Sequence, residues 1–338
     1  MSAQGNTHGT SPRQALRAPV VVTVFNRPDL VRRVFAEIAR AQPRDLFIIA
    51  DAPRKNRSGE AEKCAAALAV VDQIDWECEV FRNYSDVNLG PSRRIYTGID
   101  WAFQHVEEAI ILEHDCLPHP SFFRYCDELL DRYRDDERIM NISGNNFQFG
   151  LPRTRYSYYF SRYNHIWGWA TWRRAWRHYD PQMALWPELR STSWLMDLLG
   201  EREAVRYWRK VLDLTFTGQI NTWDTQWMFA CWAQNGMAVT PNVNLVSNIG
   251  FGPEAAHTGN INSPLNQVPL QEMVFPLRHP PSYVVRHKAA DDFAFKKVCR
   301  ARTSLGGMLR RAGHFVVPRP LRPIVSRALA RFHPVGPA

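Results

Sequence analysis

Ala109-Ile110-Ile111-Leu112-Glu113-His114-Asp115-Cys116-Leu117-Pro118 is the stretch on which the reading of this chain turns. Four apolar residues form a buried β-run, and the run ends on an acidic triplet closed off by Cys-Leu-Pro. A strand of this kind finishes at the carboxyl edge of a sheet, where open α/β sheets bind their ligands. Two carboxylates one residue apart at that edge can hold a divalent cation between protein and a diphosphate, because hard cations prefer oxygen ligands. The expectation is a nucleotide-sugar site with Asp115 as direct metal ligand. The competing reading is an ordinary turn or helix cap, which also recruits Asp.

Outward from this stretch, strand and helix alternate at short spacing. Val20 to Phe25 reads as a buried strand, and Pro28-Asp29 opens a helix through about Arg40 with apolar Leu30, Val31, Val34, Phe35 and Ile38 at helical spacing. A strand from Leu46 ends on Asp51. A helix from Ser58 to about Asp72, a strand near Cys78 to Phe81 and a helix from Ser92 to about Val106 follow. The pattern predicts an α/β fold with a mainly parallel, Rossmann-like sheet. The turn after the first strand is Asn26-Arg27-Pro28, so the GxGxxG of dinucleotide binding is missing, and no GxxxxGK[ST] phosphate loop occurs.

Beyond Pro118 the character changes to aromatic and Gly-rich segments, among them Trp167-Gly168-Trp169 and Thr222-Trp223-Asp224-Thr225-Gln226-Trp227. Loops beside a binding sheet commonly build the second-substrate side of a site. The expected organisation is a leader over 1–17, one domain over 18–290 (a nucleotide half 18–118, an acceptor half 119–290) and a basic tail over 291–338.

Composition narrows the class. Of the 338 residues, 22% are charged and 45% hydrophobic, as in ordinary globular proteins. No apolar run is long enough to span a bilayer, and the leader has no secretory core, so a cytoplasmic protein is expected. Six cysteines without a CxxC pair read as reduced thiols. Arg300 to Ala338 holds eight Arg, no Lys and no acid, so it carries nearly all of the +9 net charge. The body is therefore close to neutral, and nucleic-acid binding is not implied. The tail suits peripheral contact with an anionic membrane face, or simple solvation.

Several side chains are candidates on chemistry alone. Asp51, at a strand end, can accept the imide N–H of a uracil ring or cap a helix. Arg27, Arg93 and Arg94 can meet phosphate oxygens. Asp224, flanked by Trp223 at the start of a helix to about Asn235, suits general-base work or an N-cap. His257, in a Gly-flanked loop, can complete a metal shell or contact phosphate.

Taken in order from Pro19 to Gly259, these segments resemble the GT-A class of glycosyltransferases. The nearest family is the N-acetylglucosaminyltransferase I type, with bacterial haemolytic-protein-like or family-2-like relatives. Val20 to Pro28 is similar to the family's first strand with its Asn-Arg, and Asp51 falls at its uracil-contacting acid. Ile111 to Asp115 is similar to its Glu-Asp-Asp metal motif, and Trp167-Gly168-Trp169 to its Gly-Trp turn beside the acceptor. Thr222 to Trp227 resembles its Trp-Asp-Asp-Trp base motif, and Pro241 to His257 its closing loop. His114 replaces the middle acid of the metal motif, and Thr225-Gln226 leave Asp224 as the remaining carboxylate of the base motif.

The resemblance implies inverting transfer of a sugar from a UDP-sugar, UDP-N-acetylglucosamine being the commonest precedent, to a glycan or lipid-linked hydroxyl. It assigns Mn2+ or Mg2+ to Asp115 and His257, and donor contacts to Arg27, Asp51, Arg94, Glu113 and His114. Acceptor contacts fall to Trp167, Trp169 and Trp223, and the base to Asp224. A nucleotidyltransferase and a non-catalytic interaction module are the rival expectations.

Overall fold

A computed structural model of the chain describes residues 16–253 and 260–299. The alternation read from the sequence is present as β1 (Val20–Val24), α1 (Pro28–Ala41), β2 (Asp45–Ala50), α2 (Glu60–Val71), β3 (Glu79–Tyr84), α3 (Gly90–His105) and β4 (Glu108–Glu113). Then come β5 (Cys116–Pro118), α4 (Ser121–Arg132), β6 (Ile139–Ser143), β7 (Tyr158–Ser161) and β8 (Trp169–Trp172). Four helices follow, α5 (Arg173–Trp176), α6 (Trp186–Arg190), α7 (Trp194–Leu199) and α8 (Arg202–Phe216). The described chain closes with α9 (Asp224–Ala233), β9 (Met237–Pro241), β10 (Val246–Asn248), α10 (Lys288–Ala294) and a π-helical turn over Phe295–Cys299.

Local chemistry explains the elements. Every residue of β1 is buried, and β-branched side chains of the Val-Val-Val-Thr-Val kind suit a pleated strand covered on both faces. Helix α1 starts with Pro28 in its first turn, has Asp29 near its positive end and Arg40 near its negative end, and buries the predicted stripe from Leu30 to Ile38.

The eight-stranded sheet runs β3-β2-β1-β4-β8-β6-β9-β7. Strands β1 to β4 are parallel neighbours, and β6 and β9 are parallel. Strand β8 is antiparallel to β4 and β6, and β7 to β9. This is a mixed, mainly parallel, Rossmann-like α/β sheet flanked by helices, as expected from the alternation of elements. Alternate residues of β4 feed the two faces. Ile110 and Leu112 join the core with α1, α2 and α4, whereas Ala109 and Ile111 join the core with α3, α5 and α9. A third core gathers α6, α7, α8 and one side of α9. Strands β5 and β10 form a two-stranded antiparallel ribbon at the carboxyl edge.

Both outer boundaries of the expected domain shift. Leu16 is buried and bridges to Pro43, so packed chain begins inside the expected leader. The tail boundary at 291 falls within α10, and Phe295, Val298 and Cys299 are buried in the third core. The apolar spacing of these residues was masked in the sequence by the Arg-rich composition that follows. The rest of the basic tail lies outside the described residues. Among the described residues no helix is long and apolar enough to cross a membrane.

Candidate functional site

Strand β4 delivers Glu113 as its last residue, and Asp115 sits in the turn that joins β4 to β5. The ribbon fixes what lies against them. Asn248 pairs with Cys116, the Ile249 N–H donates to the Asp115 carbonyl at 2.8 Å, and the Gly250 N–H donates to Asn248 Oδ1 at 2.9 Å. Gly250 therefore lies directly on the Asp115 carboxylate. A Cβ built there would stand 2.1 Å from Asp115 Oδ2, so no larger residue fits without displacement. Arg27, leaving β1 at the same edge, donates from Nη1 to the Gly250 carbonyl at 2.7 Å.

The electrostatics follow from this crowding. Burial pushes the Glu113 carboxyl well above the usual carboxylate range, and the negative charges of Asp115 and then Asp224 push it further. Burial lowers the proton affinity of His114, Asp115 opposes this, and Arg27 adds to it. His114 thus departs from the acid of the resembled motif in charge as well as in shape.

Asp224 opens α9. Its Oδ1 accepts from the Thr222 hydroxyl and from the Thr225 N–H at 2.9 Å. The Thr222 carbonyl in turn accepts from Ser92 Oγ at 2.8 Å, which ties this turn to α3. Tyr179 stands on the other side of Asp224, and burial, with Tyr96 and Asp224 nearby, raises its phenol. Asp224, more than a hundred positions further along the chain, is close enough to Glu113 to raise its proton affinity, as Asp115 does from two residues away.

Other candidates are placed differently. The carboxylate of Asp51 accepts the Leu89 and Gly90 N–H groups, each at 2.9 Å, and the Asn88 amide at 3.2 Å. It caps the start of α3 from a neighbouring strand end, which is the alternative its position had left open. Arg94 is a correction to the expected phosphate contact. It is 6% exposed, and its guanidinium donates to the Ala50 carbonyl at 3.0 Å and to the carbonyl and amide oxygens of Asn83. An arginine on a helix face above two strand ends satisfies their carbonyls in place of a ligand.

The aromatic expectation also needs correcting. Trp169 is 0% and Trp223 5% exposed, and the two stack at 5.7 Å within the α3–α9 core. Their side chains follow the pleat of β8 and the inner face of α9, so both fill the core and offer no face to an acceptor. Trp167 stays half-buried at the edge, edge-on to Phe147 at 5.4 Å and to Phe251 at 5.9 Å. His257 lies outside the described residues.

Three residues went unread in the sequence. Gly250 supports Asp115, and the Gly-rich segment around it was its only signal. Glu60, the first residue of α2, accepts from Asn26 Nδ2 at 2.8 Å, the Arg54 N–H at 2.8 Å and Arg54 Nε at 2.9 Å. It pins the loops carrying Arg27 and Asp51, and nothing local in the sequence marks it. Asn145 is buried just past β6, and its side-chain amide has no hydrogen-bond partner among the described residues.

Among the described residues no group of three or more His, Cys, Asp or Glu side chains forms a metal cluster. The donor set still suits Mg2+ or Mn2+, which commonly take one or two carboxylates and complete their shell with substrate phosphates and water. Asp115, with Glu113 behind it, supplies that kind of oxygen ligand.

Fold and edge together define an α/β protein that gathers carboxylates at the carboxyl ends of its parallel strands, the edge at which such sheets bind ligands. No protein-family model matches the chain, and no curated protein sequence matches it. Among solved structures, the mannosyltransferase PcManGT from Pyrobaculum calidifontis, in complex with GDP-Man and Mn2+, is similar at 12% identity over 65% of this chain and 70% of its own, with a TM-score of 0.35. A UDP-glucose pyrophosphorylase complexed with UDP-glucose is similar at 12% identity over 43% of this chain and 62% of its own, with a TM-score of 0.25.

Proposed function

We propose that the protein is an inverting, metal-dependent glycosyltransferase that moves a sugar from a UDP-sugar to a hydroxyl of a glycan or lipid-linked acceptor. The observation that carries the reading is the delivery of Glu113 and Asp115 to the carboxyl edge under the Gly250 loop that Arg27 holds, with Asp224 near enough to Glu113 to raise its proton affinity. The edge carries acid for a cation and a cation for phosphate, and a helix start carries a single carboxylate.

In this reading Asp115 would hold the divalent ion, with Glu113 two residues behind it at the strand end, and Arg27 would face the diphosphate. The bound ion would neutralise charge on the departing nucleoside diphosphate. Asp224 accepts the proton of the acceptor hydroxyl as its oxygen bonds to the anomeric carbon. The bond from that carbon to the diphosphate breaks on the opposite side, which inverts the configuration. Thr222 and the Thr225 N–H occupy Asp224 Oδ1, and no described residue bonds to Oδ2. A nucleotidyltransferase would normally cradle phosphate on a Gly-rich loop, where Asn26-Arg27-Pro28 stands here.

Titration calorimetry with UDP, with and without Mn2+, tests the reading. Binding that requires Mn2+, and disappears in Asp115→Asn, is the expected result. Equal UDP affinity in Asp115→Asn, or release of pyrophosphate from a nucleoside triphosphate and a sugar phosphate, would overturn it.

A further inference from the structure

Asn145 is 1% exposed, and neither atom of its amide has a hydrogen-bond partner among the described residues. Its neighbours leave it little freedom to find one. The Gly144 N–H donates to the Gly168 carbonyl at 2.8 Å, and the Gly144 carbonyl accepts from Leu245 at 2.9 Å. Asn146 is held by Asn244 Oδ1 on its N–H at 2.9 Å and by the Pro241 carbonyl on its amide at 2.6 Å. A buried amide with neither donor nor acceptor satisfied is costly, and natural proteins rarely keep one without a ligand to meet it.

The sheet register places this residue. Ile111 of β4, Trp169 of β8 and Ser143 of β6 lie in one row across the sheet. Strands β4 and β6 are each antiparallel to β8 and so share a direction, which puts Asn145, two residues past the end of β6, at the carboxyl edge where β4 ends on Glu113. Two interstrand steps separate Glu113 from Asn145, roughly 10 Å, a width that accommodates one pyranose ring and its hydrogen bonds. Asn164 adds a second buried carbonyl oxygen without a partner among the described residues, held by its own amide on Cys231 and by the neighbouring His165 N–H on Ser143 Oγ at 3.1 Å. Phe251 rests edge-on against Trp167, and Arg27 holds that loop through Gly250. Phosphate competing for Arg27 would release the cover.

We propose that Asn145 is a specificity-determining residue whose amide reads two adjacent hydroxyls of the transferred sugar, one as donor and one as acceptor. This rests on the glycosyltransferase reading and adds to it the group that selects the sugar. A paired buried amide discriminates strongly, because a sugar with one hydroxyl inverted leaves it half-satisfied.

The test compares wild type, Asn145→Ala and the similarly sized Asn145→Leu in Mn2+. It measures nucleoside diphosphate release from UDP-glucose, UDP-galactose, UDP-N-acetylglucosamine and GDP-mannose, affinity for the matching free nucleoside diphosphate, and melting temperature. The variants are expected to keep their melting temperature, since no protein hydrogen bond is lost, and nucleoside diphosphate affinity within about two-fold, since Asn145 faces the sugar. Turnover of the best wild-type donor should fall about 10- to 100-fold, and the preference between the glucose and galactose epimers should collapse. A preserved donor ranking in an active, folded variant overturns the assignment of Asn145 alone. Wild type that binds no nucleoside diphosphate overturns the functional reading and this inference with it.

Discussion

At the scale of single residues, the site depends on one close approach and one free oxygen. Gly250 touches Asp115, and any Cβ there must push either the loop or the carboxylate aside. Gly250→Ala is therefore expected to weaken Mn2+ binding in the presence of UDP by about ten-fold or more, a cost of about 1.4 kcal/mol. Calorimetry on the folded variant reads this, and an unchanged affinity would mean that the loop yields in place of the ligand. Asp224→Asn keeps the shape and loses the base. Transfer should fall by about 10^2- to 10^4-fold with UDP affinity intact, and a variant with normal transfer rates removes the proposed base. Residue identity alone misled at Arg94 and Trp169. Guanidinium suits phosphate and strand carbonyls equally, and indole suits sugar and core equally, so only burial separates the uses.

At the scale of elements, the carboxyl edge is held by contacts between loops. Glu60 opens α2 and receives Asn26 from the turn after β1 and Arg54 from the loop after β2. The Arg54 guanidinium holds the Glu60 carboxyl down at about 2, well below its ordinary value, against the opposing effect of burial. A depressed folded value means that the unfolded chain takes up the proton at a higher pH than the folded chain does. The stabilisation is thus complete above about pH 4.5 and is lost as pH falls towards about 2. Glu60→Gln should lower stability by about 1–3 kcal/mol at neutral pH. The gap to wild type should close on acidification through that window, as followed by urea denaturation. A gap independent of pH would show that shape, not charge, carries the contact.

At the scale of the whole molecule, one clasp joins the third core to the sheet. Asp291 of α10 accepts from Ser161 Oγ at 2.6 Å, from the Arg162 N–H at 3.1 Å and from Arg286 Nε at 2.6 Å, while Arg286 Nη1 reaches the Leu198 carbonyl at 2.8 Å. Strand β7, α7 and α10 meet at this buried pair. Arg286→Met leaves the Asp291 carboxylate buried without its cation, and loss of about 3–5 kcal/mol is expected. A clear fall in melting temperature, with unchanged UDP affinity of the folded fraction, is the outcome that checks it. A melting temperature like that of wild type would show that the other donors suffice.

The order of elements and the edge they share were legible in the chain itself. Uninterrupted apolar runs such as Val20 to Val24 and Ala109 to Leu112 permit little but buried strands, and the stripe from Leu30 to Ile38 permits little but a helix laid on them. Those periodicities are local, and so are the carboxylates that end β4 and open α9. Which partner each side chain meets was decided only by folding. Strand β8 inserts between β4 and β6 and turns Trp169 inward, α3 brings its own start onto Asp51, and the β5–β10 ribbon lays Gly250 on Asp115. Such contacts join residues tens to more than a hundred positions apart, and no spacing along a chain encodes which distant backbone will arrive to satisfy a given polar group.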